Sequence, residues 1–81
     1  MVSVFKIKQQ NEEKKVKALA KEIKLFGLNP EEFGKEIGVS RQSVYNWLKG
    51  KVNPKAKHIK LMREFGISEE AALNPSKEVE V

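Results

Sequence analysis

The stretch SRQSVYNWLK, residues 40–49, gathers hydrogen-bonding side chains of several kinds. Arg41 brings a forked cation, Gln42 and Asn46 bring amides, Ser40 and Ser43 bring hydroxyls, Tyr45 brings a phenol and Lys49 an ammonium. At helical spacing, Val44, Trp47 and Leu48 turn one way, with Val39 just ahead of them, and the polar groups turn the other. An ordinary solvated helix face mixes Glu with Lys and forms i,i+4 ion pairs. This face holds no acid. Its chemistry is that of donors and amides aimed at something rich in acceptors.

The surrounding charge has the same character. Residues 37–63 carry seven basic side chains, Arg41, Lys49, Lys51, Lys55, Lys57, Lys60 and Arg63, and no acidic one. Residues 1–36 are mixed, and residues 64–81 are acidic on balance. Solubility alone would accept such a block. A polyanionic partner would account for it more fully, because an acid there would meet like charge at short range.

Other chemistries are poorly served. An 81-residue chain supports one small domain and leaves little room for a cleft between two layers. With no Cys, disulfides and thiolate zinc sites are excluded, and a reducing, cytoplasmic setting is expected. His58 is the sole His and has mostly Lys around it, so no metal or other cofactor is expected. Without Asp or Cys there is no Ser-His-Asp or Cys-His set. The pairs Glu31/Glu32 and Glu69/Glu70 stand where helix N-termini favour anions, so no enzyme is expected. No apolar run nears the ~18 residues of a membrane span, and MVSVFKIKQQ lacks a signal-peptide core.

The elements that must position residues 40–49 can be read from period and punctuation. The opening MVSVFKIK partly alternates, through Val2 and Val4 and then Phe5 and Ile7, as a short strand or a loose arm. From about Asn11, Val16, Leu19, Ala20, Ile23 and Phe26 keep helical spacing up to Gly27. Asn29 and Pro30 open a second helix with Phe33 and Ile37 inward, and Gly38 stops it. Ser40 caps the next helix and Gly50 ends it. The link Gly38-Val39-Ser40 is so brief that it favours a steep crossing. Pro54 opens a fourth helix with Ile59, Met62 and Phe65 inward and Leu61 beside them, closed by Gly66. Ser68 caps a short last turn. SKEVEV reads as a frayed tail, or as a segment that pairs with the N-terminal arm through Val79 and Val81.

The segment NPEEFGKEIGVSRQSVYNWLKGKVNP resembles the lambda-repressor/Cro-like helix-turn-helix DNA-binding family. The likeness is strong from Asn29 to Pro54 and weak onward to Ile67 and Ser68. It rests on Phe33, Gly34, Ile37, Gly38, Val39, Val44, Trp47, Gly50 and Pro54. Gly38 suits a positive φ, and Gly34 allows close helix approach. Two positions depart. Pro30 stands where many members carry Gln, so the phosphate contact of that Gln is not carried over. Leu48 stands where many carry Glu, which implies extra apolar surface for the fourth helix or a partner. The resemblance implies an all-α bundle of four to five short helices, with a possible N-terminal strand or arm. The expected organisation is an arm over 1–10, the helix-turn-helix domain over 11–73 and a tail over 74–81.

The resemblance also implies roles. The second motif helix, about residues 40–49, would lie in the major groove of double-stranded DNA. Arg41 then suits guanine O6 and N7, Gln42 suits adenine N6 and N7, Asn46 reaches another base edge, and Ser43 permits close approach. Tyr45 contacts a thymine methyl or a phosphate, or packs beside the neighbouring helix. Ser40, Lys49, Lys51, Lys55 and Lys57 are the phosphate candidates, helped by the free N–H groups at the start of the fourth helix. His58 is expected at the surface or against the first helix rather than on a phosphate. Trp47, in phase with Val44, is expected in the core rather than as a stacking platform. The implied function is a repressor-like transcriptional regulator in a prokaryotic or viral setting, acting as a homodimer through the arm or through Ile67–Leu73. The alternative is a protein-interaction module of the antitoxin or coactivator-adaptor kind, with a protein partner.

Overall fold

Three helical starts in this chain are set by side chains close in sequence, at Asn29, Ser40 and Ser68, and the path of the backbone follows them. The computed structural model describes residues 15–80. In chain order it contains strand β1 (Lys15–Lys17), helices α1 (Ala18–Leu25), α2 (Pro30–Ile37), α3 (Arg41–Lys49), α4 (Ala56–Phe65) and α5 (Glu69–Leu73), and strand β2 (Glu78–Glu80). The fold is thus mostly helical, with five helices and one short strand pair among the described residues.

The first helix starts later than its spacing predicts. Val16 lies in β1, which pairs antiparallel with β2 in the register Lys15↔Glu80, Val16↔Val79 and Lys17↔Glu78. Spacing alone could not show this, since Val16 sits three residues before Leu19 and satisfies either period. What decides it is the end of the chain. No side chain caps α1. Instead the Ala18 N–H donates to the Lys77 carbonyl (2.7 Å) and the Leu19 N–H to that of Pro75 (3.3 Å). These bonds satisfy two donors that a helix start leaves open. The tail therefore pairs, but with residues 15–17. The strand or arm expected over Val2–Ile7 lies outside the described residues.

The central helices follow their signals. Asn29 Oδ1 accepts from the Glu32 N–H (2.8 Å), and Glu32 Oε1 accepts from the Asn29 N–H (3.0 Å), a complete capping box with Pro30 in the first turn. Gly38 ends α2 at φ +81°, a left-handed conformation that costs a glycine little. Ser40 Oγ accepts from the Ser43 N–H (3.2 Å) and starts α3. Helices α2 and α3 meet closely because Gly34 has no Cβ; one added there would stand 2.8 Å from the Val39 carbonyl oxygen. The fourth helix begins at Ala56, two residues after the expected Pro54, which is buried ahead of it.

Leu19, Ile23, Phe33, Ile37, Val44, Trp47, Leu48, Met62 and Ile67 form the core, closed on one side by Ala71 and Ala72. Phe65 joins it by setting its ring edge-on to Phe33, with centroids 5.5 Å apart. Leu48 is buried in this chain's own core, so its apolar surface needs no partner. Phe26 was expected inward but is 46% exposed. It stands just past the end of α1, with one side on Phe65 at 4.9 Å. Leu61, expected beside the inward face of α4, is exposed.

Candidate nucleic-acid interface

The outer face of α3 is built by its inner one. Val44, Trp47 and Leu48 anchor the helix in the core. At 3.6 residues per turn, that sets Arg41, Gln42, Tyr45 and Lys49 outward, where all four are exposed. Ser43 and Asn46 lie half-buried at the border of the two faces.

The polar groups are engaged lightly. Arg41 Nη1 lies 3.8 Å from Glu31 Oε1, with both side chains well exposed, a pairing that water and salt weaken. Gln42 Nε2 donates to Asn46 Oδ1 (3.1 Å), so the two amides stand together one turn apart. Gln42 Oε1 and the Asn46 amide hydrogens remain available to an outside partner. Ser40 Oγ and Ser43 Oγ share one hydrogen bond at 3.1 Å, which uses one hydroxyl proton and leaves the other. Tyr45 is 39% exposed on this face. Trp47 is only 4% exposed, and therefore a core residue.

Beside α3 lies a cleft of about 240 Å³ lined by Ser43, Asn46, Trp47, Val52, Asn53, Lys55 and His58. It joins the outer face of α3 to the loop before α4. His58, expected at the surface or against the first helix, is half-buried here with its ring on Trp47, at a centroid distance of 5.3 Å. Its Nδ1 is buried without a hydrogen-bond partner among the described residues. Asn53 and His58 are cleft residues that pattern reading did not single out for this site. Their only signal was proximity to Pro54.

The electrostatics separate the helices into two groups. Helix α2 has Glu31 and Glu32 in its first turn, and α5 has Glu69 and Glu70. Helices α3 and α4 have no acid in theirs, and α4 has no capping side chain either. Their positive N-terminal ends are thus left for an external anion. Lys49, Lys51, Lys55 and Lys57 are exposed around them. The Lys51 N–H donates to the Asn46 carbonyl (3.0 Å), which ties that loop to the end of α3. Arg63 lies 3.8 Å from Glu69, so part of its charge is offset within the chain. Away from this face, the Lys77 ammonium bonds the Glu70 carboxylate and holds it below the usual carboxylate range.

Two helices crossed on a glycine turn, the second showing an amide- and cation-bearing face, define a helix-turn-helix DNA-binding domain. A sequence model of the helix-turn-helix family matches residues 19–71, from the start of α1 into α5. The chain belongs to that family, in its lambda-repressor and Cro type. No curated protein and no solved structure matches the chain. It is a DNA-binding helix-turn-helix regulator. Among the described residues, no helix is long and apolar enough to cross a membrane, and no group of His, Cys, Asp and Glu could hold a metal ion.

Proposed function

We propose that this protein is a sequence-specific, repressor-like regulator of transcription that lays α3 in the major groove of double-stranded DNA. One observation carries the reading. The outer side of α3 presents exposed Arg41 and Gln42 and half-buried Asn46 without an acid of its own, and the first turns of α3 and α4 also lack acids. In the proposed complex Arg41 reads guanine, and the Gln42–Asn46 amide pair reads adenine and a neighbouring base edge. Ser43 allows close approach, and Tyr45 meets a thymine methyl or a phosphate. Ser40, Lys49, Lys51, Lys55 and Lys57 hold the phosphates, with the open N-terminus of α4 beside them. The organisation is an arm over 1–10, the domain over 11–73 and a tail over 74–81. The protein acts as a homodimer in the cytoplasm of a prokaryotic or virus-infected cell, and it is not an enzyme.

Salt dependence tests the reading against a protein-interaction role. Binding to duplex DNA through Z phosphates falls with a log–log slope of about −0.9Z. A slope of several units is expected here. A slope near zero, or no duplex binding at low salt, would favour the protein-interaction reading.

A further inference from the structure

The outer side of α3 has no acid of its own, yet one carboxylate reaches it from the neighbouring helix. Glu31 Oε1 lies 3.8 Å from Nη1 of Arg41, the residue that opens α3. Helix α2 has its start secured without this group. Glu32 closes the capping box with Asn29, and Pro30 fixes the first turn. Lys35 stands at the i+4 spacing that usually draws a Glu on the same helix. The ion pair that Glu31 makes runs instead to the next helix, across the turn.

Both ends of this pair rise from fixed backbone. The capping box holds the first turn of α2, Ser40 caps α3, and Gly34 lets the two helices meet closely. A guanidinium has five N–H donors in a rigid fork. With Nη1 turned to the carboxylate, Nη2 and Nε remain for guanine O6 and N7. A backbone phosphate is a different acceptor. It carries a full negative charge, and on approaching Arg41 it would meet the like charge of Glu31 as well. A guanine edge is neutral and meets no such repulsion. One carboxylate thus separates the two kinds of acceptor that DNA offers.

We infer that Glu31 is a positioning residue that sets the selectivity of Arg41: it orients the guanidinium toward a base edge and turns away a backbone phosphate. The inference rests on base reading by Arg41, proposed above. The distribution of ion pairs agrees with it. Lys49, Lys51, Lys55 and Lys57, the phosphate candidates, pair with no acid among the described residues. The arginine at the head of α3 is the cation of this face supplied with a carboxylate.

Binding of the full chain to its preferred duplex, found by selection, and to a random duplex tests the assignment. Glu31→Gln keeps the size of the side chain and removes its charge. It is expected to tighten binding to the random duplex roughly two- to fivefold, the range of an exposed pair, with the preferred duplex nearly unchanged, so that the ratio of the two falls. In an Arg41→Ala background the same substitution is expected to leave the ratio where Arg41→Ala puts it. An unchanged ratio in the Arg41 chain would overturn the inference. Equal gains on both duplexes would make Glu31 a general repulsive charge, and a loss of stability alone would confine it to the start of α2. A fall in the ratio that persists in the Arg41→Ala background would also overturn it. An unmodified chain without preference among duplexes, or a preference that Arg41→Ala leaves intact, would instead remove base reading by Arg41, and this inference with it.

Discussion

Among the described residues Arg41 meets its own chain's acids only in an exposed 3.8 Å approach to Glu31, so moving it onto a base costs little. Arg41→Ala is expected to cost about 1–3 kcal/mol on the preferred site and to relax choice at one base pair. Equal losses on preferred and random duplexes would make Arg41 a phosphate contact. Lys51 behaves differently in this account. It is exposed just past the end of α3, and Lys51→Ala is expected to weaken every duplex alike, with a salt slope shallower by about 1. An unchanged slope would leave Lys51 in solvent. The outward side chains of α3 could be read from sequence because helical phase alone settles them. His58 could not. Its contact with Trp47 joins two helices, and no periodicity within either one reports it.

The packing of α2 on α3 carries the geometry of the interface. Gly34→Ala would press a methyl toward the Val39 carbonyl, a backbone atom that cannot swing aside. A loss of about 1–3 kcal/mol is expected in chemical denaturation. Unchanged stability would show that the turn yields. Trp47→Ala removes a ring that is 4% exposed, lies in the core and packs on His58, for an expected loss of roughly 3–5 kcal/mol. A variant that melted normally yet bound DNA poorly would instead put Trp47 at the interface. Helices α2 and α3 were legible because their signals are local: Asn29 and Pro30 at one start, Ser40 at the other, Gly38 and Gly50 at the stops. The β1–β2 pair was not, because Lys15–Lys17 meets residues more than sixty positions away and Val16 fits a helix as well as a strand. The start of α4 was misplaced because Pro54 packs ahead of the helix instead of opening it.

At the scale of the whole molecule, one helix of nine residues reads only a few base pairs. That is too little to single out a site among the ~10⁶–10⁹ competing sites of a genome. In the proposed homodimer a two-fold pair of α3 helices would double the contacts, with half-sites about 34 Å apart, one turn of DNA. Both the proposed dimer and the proposed roles of Arg41, Gln42 and Asn46 would show in what sequence is selected. The most direct measurement is therefore selection of binding sites from a pool of random duplexes by the full chain. A short enriched motif repeated in inverted order one helical turn apart is expected, with a consensus that shifts in Arg41→Ala and Gln42→Ala. Enrichment of no motif, or of one that these substitutions leave unchanged, would contradict base reading by α3.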